Sequence, residues 1–357
     1  MSRFAGVQAD NRACDVFFAH SMNVHDTVLL SVLFVLWSSL MKKNLIALAV
    51  LAASGAAFAQ SSVTVYGIAD VWVGSVKAGG SSRTTVLNSG GVSTSRWGLK
   101  GTEDLGGGLK ANFLFEQGIA ADTGTTGAGF NRQAYVGFSG GFGEVKFGNV
   151  YTAYDDISGA ANSAFDSALA PQNGFNNGGW KSSSLYVSNP TNNLYYATPN
   201  FGGISGAVSL SLDEKKGMES TSFHIKYEGG PLYVGLGYQQ DEAYGSGVST
   251  DFLRLNGTYD LGVATVLAGY GKVDYPVGGD TTEWELGANV PMSSTLTLSG
   301  GVAQSKTNGA KSTGYALAAA YSLSKRTTLY GGFHSSSTKN TDADDYDVFA
   351  IGVKHTF

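Results

Sequence analysis

Few side chains in this sequence are typed and spaced for covalent chemistry. Beyond residue 60 the histidines are His224, His334 and His355, and none is flanked by a serine or aspartate motif that would build a nucleophile and its base. No group of residues has metal-ligand spacing, and "GGGLKA" reads as turn chemistry, not as a phosphate-binding loop. No catalytic residue, metal or cofactor is expected. What remains is charge at regular spacing. In "SRWGLKG" a period of two puts Arg96 and Lys100 on the face opposite Trp97 and Leu99. Lys146 opposes Val145 and Phe147 in the same way. Plain alternation puts Arg132 on the face of Val136 and Phe138, unless a bulge or loop end turns it. The longest polar stretch, residues 150–182, carries Asp155, Asp156 and Asp166. Charges held at regular spacing on one face of a strand do electrostatic work.

Such charges need a rigid wall, and the alternation describes one. In "DFLRLNGTYD", Leu253, Leu255 and Tyr259 share a face opposite Arg254, Asn256 and Thr258. In "TEWELGANV", Trp284 and Leu286 oppose Glu283 and Glu285; in "SFHIKYEGG", Phe223, Ile225 and Tyr227 oppose His224, Lys226 and Glu228. Half-buried strands read this way. The breaks between them alternate in kind. Polar gaps fall near residues 76–91, 119–129, 150–182, 213–219, 241–250, 273–280, 305–311 and 336–343. Tight breaks separate them at "EDLGGG", "SGGFG", "PNFGG", "EGGP", "YDLG", "VPMSS" and "YSLSK". This divides the chain into segments of roughly 8–12 residues, close to the ~9–11 that a tilted membrane strand needs. The expected fold class is all-β: a 16-stranded antiparallel transmembrane barrel with short periplasmic turns and long extracellular loops. Closure follows from the solvent, because hydrocarbon leaves no partner for an open sheet edge.

The ends of the chain agree. "MKKNLIALAVLAASGAAFAQ" has two lysines, a short apolar run at 45–53 and a small-x-small site at Ala57 and Ala59, so residues 41–59 read as a signal peptide cleaved before Gln60. "TVLLSVLFVLWSSL" at 27–40 could extend the apolar segment into an uncleaved anchor; a start codon placed too early is the preferred account of residues 1–40. The only cysteine, Cys14, lies in that prefix, so no disulfide framework is expected. A net charge of −5 argues against nucleic acid as a partner. Fifty glycines, 18 tyrosines and 19 phenylalanines suit an all-β chain with many turns. The terminal "DYDVFAIGVKHTF" alternates to its end, and Phe357 fits a lower aromatic girdle and a terminal assembly signal.

Taken together, "SSVTVYGIAD", "SRWGLKGTEDLGGGLKANFLFEQG", "NRQAYVGFSGGFGEVKFGN", "LYYATPNFGG" and "IGVKHTF" resemble, in that order, the proteobacterial general porins of Burkholderia-like and neisserial bacteria. The resemblance covers most of residues 60–357. It implies a homotrimer of barrels in the Gram-negative outer membrane, each narrowed by a third loop folded inward. It also implies passive diffusion of ions and small hydrophilic solutes, contact with outer-membrane lipid and lipopolysaccharide, and insertion by the barrel-assembly machinery. Asp155, Asp156 and Asp166 would then be the acidic side of a constriction, facing Arg96, Lys100, Lys146 and the family's arginine at Arg132. Two departures stand out. Asn149 occupies a position where the family usually has arginine, and no basic residue lies near "LYY". A substrate-specific uptake channel is the competing reading, although Tyr195 and Tyr233 are too few to form a ladder.

Overall fold

The computed structural model describes residues 62–173, 186–212, 214, 218–243 and 245–357. The expected extension 1–40, the signal peptide 41–59 and the cleavage residues Ala57, Ala59 and Gln60 lie outside the described residues.

Among the described residues, the wall is built from eighteen β-segments. The first seven are β1 (Ser62–Ala78), β2 (Thr84–Ser89), β3 (Arg96–Gly106), β4 (Leu109–Ala120), β5 (Thr125–Thr126), β6 (Gln133–Gly140) and β7 (Gly143–Asn149). A long inner loop follows. Next come β8 (Asn193–Ala197), β9 (Ile204–Ser211), β10 (Met218–Gly229), β11 (Leu232–Ala243) and β12 (Ser249–Asp260). The last six are β13 (Thr265–Asp274), β14 (Asp280–Pro291), β15 (Leu296–Thr307), β16 (Ala310–Ser322), β17 (Thr327–Thr338) and β18 (Thr341–Thr356).

Two wall strands are each broken in two. β1 pairs with β3 over residues 62–68 and with β2 over 71–76, so β2 and β3 are halves of one strand split by residues 90–95. β4 pairs with β6 over residues 110–116 and with β5 at Ile119 and Ala120, which makes β5 and β6 halves of another. The eighteen segments therefore form sixteen antiparallel wall strands. β18 returns to β1, with Thr356 opposite Ile68 and Tyr346 opposite Ala78, and the barrel closes. Closure pairs each strand edge; an unpaired backbone group in hydrocarbon costs several kcal/mol.

The seven tight breaks all fall at one end of the barrel, where neighbouring strands are joined at 107–108, 141–142, 198–203, 230–231, 261–264, 292–295 and 323–326. Three consecutive glycines at positive φ, Gly106, Gly107 and Gly108, make the first of these turns, a backbone that side chains with a Cβ rarely adopt. The other end differs from expectation at two connections. The polar stretches 305–311 and 336–343 shorten to two-residue turns, 308–309 and 339–340, because the flanking strands run on through them. Asn308 (φ 49°) and Gly309 (φ 87°) form an Asn-Gly hairpin turn. A strand that rises above the membrane has water on both faces, so it can be polar throughout and still pair.

The faces follow the alternation. On β12, Leu253 and Leu255 are exposed on the outer face, while Arg254 and Asn256 are buried inside. Val63, Val65, Val136, Phe223, Ile225 and Leu286 are likewise exposed outside, the surface that hydrocarbon covers. The inner face is polar, and the inner loop occupies much of it.

Candidate functional site

Residues 150–173 fold into the lumen and run along its wall, tethered strand by strand. At the loop's start Thr152 Oγ donates to Gln239 Oε1 on β11 (2.8 Å), and the Ala153 amide donates to Ser209 Oγ on β9 (3.1 Å). His224 on β10 bonds the Ala153 carbonyl through Nδ1 (2.6 Å); a carbonyl only accepts, so this nitrogen carries the proton. Farther along, Asn256 on β12 donates to the Ile157 carbonyl. The Ser163 amide and hydroxyl both donate to Glu285 Oε1 on β14 (2.6 Å each), and the Ala164 amide donates to Ser299 Oγ on β15 (2.7 Å). His334 Nδ1 on β17 bonds the Ala170 carbonyl (2.6 Å). The inward polar residues of the alternation thus serve as hydrogen-bonding pegs for a loop backbone that has no ladder of its own.

Two further features seat the loop. Inward glycines leave room: a Cβ on Gly301 would lie 2.2 Å from Ser163 Oγ, and one on Gly314 would lie 1.8 Å from the Pro171 carbonyl. A tight bend at residues 164–166 has Ala164, Phe165 and Asp166 all at positive φ (50°, 64° and 50°). Left-handed backbone at non-glycine residues costs roughly 1–2 kcal/mol each, and the Glu285 and Ser299 bonds beside the bend hold it.

Beside the β3–β7 wall, Arg132 and the loop aspartates Asp155 and Asp166 line a common gap. Arg96 and Arg132 share one carboxylate, with Nε atoms 3.3 Å and 2.7 Å from the two oxygens of Glu116, which also accepts from Tyr66 (2.7 Å). Arg132 therefore points inward, against the plain alternation. It precedes β6, and its backbone amide still bonds the Glu116 carbonyl (3.1 Å), so the side chain turns in at a strand end. A polar cavity of about 430 Å³ brings Arg132 together with Tyr151, Asp155, Asn162, Asp166 and Tyr186. Asp166 accepts from Asn162 Nδ2 (2.7 Å), and Asp155 accepts from the Tyr186 hydroxyl (2.8 Å).

Asp156 faces a lower part of the lumen. It accepts from the Tyr195 hydroxyl and lies 3.8 Å from His224 Nδ1. Lys146 sits over the Tyr195 ring, 4.8 Å from its centroid, and pairs with Glu144 at 3.0 Å. Lys100 is apart from the arginines. It lies 4.9 Å over the Tyr66 ring and lines a different cavity, about 370 Å³, with Tyr135, Ser139 and Glu144. Four residues of strand separate it from Arg96, a drop of roughly 13 Å along β3. Asn149 ends β7 with no charge to offer.

Burial against the loop and wall raises the carboxyls of Asp155 and Asp156 to about 6, and the hydroxyls of Tyr186 and Tyr195 oppose that shift. Asp156 keeps 34% of its side chain exposed to the lumen, so water screens its charge more effectively.

Alternation alone does not single out four further residues. Glu116 is a lone acid in "FLFEQG", and only pairing across strands shows that two arginines converge on it. Lys226 lies near enough to Asp156 to favour its ionised form. Arg254 is fully buried beneath the loop, with its guanidinium 4.8 Å over the Tyr154 ring. Asp70 is the fourth. It is an acid within an apolar strand, "GIADVWV", and that contrast was the available signal.

Comparison with known proteins agrees with this architecture. The model of the Gram-negative porin family matches residues 46–341. Over 292 residues the chain is 40% identical to outer membrane porin protein 32 of Delftia acidovorans, spanning 74% of this chain and 78% of that protein. It superposes on an anion-selective porin from Comamonas acidovorans with a TM-score of 0.74 at 28% identity, covering 84% of this chain and 100% of that one. It shares its fold, at 17% identity and a TM-score of 0.65, with an outer membrane protein of Vibrio cholerae solved in a trimer form, covering 83% and 99% of the two chains. With a family match across most of its length and a relative 40% identical over 74% of it, the chain belongs to the Gram-negative porin family.

Proposed function

We propose that ions and small hydrophilic solutes cross the outer membrane through the gap between the inner loop and the β3–β7 wall, and that the charges lining this gap set the preference. The observation that carries this reading is the single cavity lined by Arg132 on one side and by Asp155 and Asp166 on the other. Arg96 and Arg132 are partly neutralised by Glu116, and Lys146 by Glu144. Against them stand three loop aspartates. This near balance supports a weak preference whose sign follows the ionisation of the aspartates. The Comamonas relative is described as anion-selective; the neutral Asn149 and the acidic loop argue for a weaker anion preference in this chain. Lys100 lies below the narrowest region and acts as a secondary charge.

Three further parts of the reading rest on resemblance and pattern. The working unit is a homotrimer. Residues 41–59 export the chain, which is then cleaved before Gln60. Phe357 serves as the terminal signal for the barrel-assembly machinery, and the finished barrel sits among outer-membrane lipid and lipopolysaccharide.

Single-channel recording in a planar bilayer under a salt gradient tests the proposal. The expected result is steady conductance with a small reversal potential. Neutralising Arg96 and Arg132 should move that potential toward cations, and neutralising Asp155 and Asp156 should move it toward anions. If assembled protein conducts but neither pair of changes moves the potential, the preference is set elsewhere.

A further inference from the structure

We propose that Asp70 is a positioning residue for the constriction: its buried carboxylate folds residues 90–95 into a clip that orients Arg96 and tethers the far half of the inner loop. The proposal rests on the reading of Arg96 as a selectivity residue.

Asp70 sits in the middle of β1 and is 0% exposed, so it touches no solute. An acid is a poor strand residue, and a buried carboxyl is costly unless it is hydrogen-bonded. Its partners come almost wholly from the break between β2 and β3. The amide of Gly91 donates to Oδ1 (3.0 Å), and those of Val92 and Ser93 donate to Oδ2 (3.0 and 2.8 Å). The Tyr330 hydroxyl from β17 completes the set at Oδ1. Ser95 Oγ closes the clip by donating to the Asp70 carbonyl and accepting from the Asp70 amide (2.9 Å each). Three successive amides, which in a regular strand would point alternately to the two neighbouring strands, instead converge on one side chain.

The clip then reaches both sides of the gap. Arg96 Nη1 donates to Ser93 Oγ (3.4 Å) and to the Thr94 carbonyl (3.1 Å), so the guanidinium is held by the clip as well as by Glu116. The Gly91 carbonyl accepts from the amide of Ala168 in the inner loop (2.6 Å). Val92 packs with Tyr330 against Ala164 and Leu169 of that loop. One carboxylate thus fixes the backbone that fixes a wall cation and the loop opposite.

The D70N change keeps the shape and replaces one acceptor oxygen with a donor, so at least one clip amide loses its partner. Arg96 then keeps Glu116 but loses a firm hold on Ser93 and Thr94. The expected result is a fall of about twofold in the anion-to-cation permeability ratio, since moving a unit charge a few ångströms in water changes its interaction only modestly. The R96Q change should lower the ratio further, and the D70N/R96Q double variant should match R96Q alone, because both act through the same guanidinium. A merely structural role predicts no such non-additivity. Should D70N fail to assemble, the milder S95A, which loosens one end of the clip, must move the ratio in the same direction by a smaller amount. A shift with R96Q but none with D70N or S95A in assembled protein overturns the inference and leaves the constriction reading intact, as does additivity in the double variant. No shift with R96Q removes the ground for both.

Discussion

Acidification from pH 7.5 to pH 5 should turn the channel toward anions, and the burial of two loop carboxyls sets where that happens. Asp155 and Asp156 lie outside the wall strands, and desolvation raises both to about 6, above the ordinary carboxyl range. The sign follows directly. Above 6 both groups are charged; as pH falls through 6 the folded protein takes up protons and the loop loses up to two negative charges. Roughly nine-tenths of each carboxyl is ionised at pH 7 and roughly nine-tenths is neutral at pH 5. A unit charge about 4 Å from a passing ion in water is worth about 1 kcal/mol. That exceeds RT, ~0.6 kcal/mol, so losing two such charges should raise the anion-to-cation permeability ratio several-fold. The smaller share comes from Asp156, which water screens more. Reversal potentials should be read at about 0.01 M salt, where the Debye length is ~30 Å. His224, 3.8 Å from Asp156, is a second titratable neighbour, with Lys146 and Asp166 nearby. A D155N/D156N protein isolates the carboxyls and should lose most of the shift between pH 5 and 7.5. A wild-type channel that is flat over that range, and changes only below pH 4.5, would refute the burial argument.

Glu116 should matter more than a surface acid, because its side chain is only 6% exposed and two arginines share it. E116Q is expected to cost about 1–3 kcal/mol in thermal unfolding, between exposed and fully buried ion pairs, and to move the reversal potential toward anions. For the loop's seat, G314V puts atoms where the Pro171 carbonyl now lies, so the loop should lift and single-channel conductance should rise while the barrel stays folded. An unchanged conductance in folded G314V would count against the seating described. At the seam, Phe357 exchanges backbone hydrogen bonds with Gly67 (3.1 Å each way) and its ring covers that glycine. Deleting Phe357 should lower outer-membrane levels as measured by fractionation, and normal levels would remove it as an assembly signal.

The wall was legible in the sequence because alternation is local. Whether Leu253 and Leu255 face lipid while Arg254 and Asn256 face the lumen depends only on the two-residue period of a strand. Most of the tight breaks were legible for the same reason, since glycine at positive φ is a property of a few adjacent residues. Alternation failed where it stopped being required: β15–β18 pass above the membrane as polar ribbons, and Arg132 swings inward once its strand ends. The inner loop belongs to the other kind of information. Ser163 finds Glu285 across 122 residues of chain, and Ala170 finds His334 across 164. No periodicity couples positions so far apart. The sharing of Glu116 by Arg96 and Arg132, the separation of Lys100 from them, and the convergence of three amides on Asp70 likewise arise only when the barrel closes. The two-residue period thus determined which charges of the wall strands face the lumen. Only tertiary structure decided which of those charges meet, because electrostatics and hydrogen bonding act over a few ångströms of space whatever the distance along the chain.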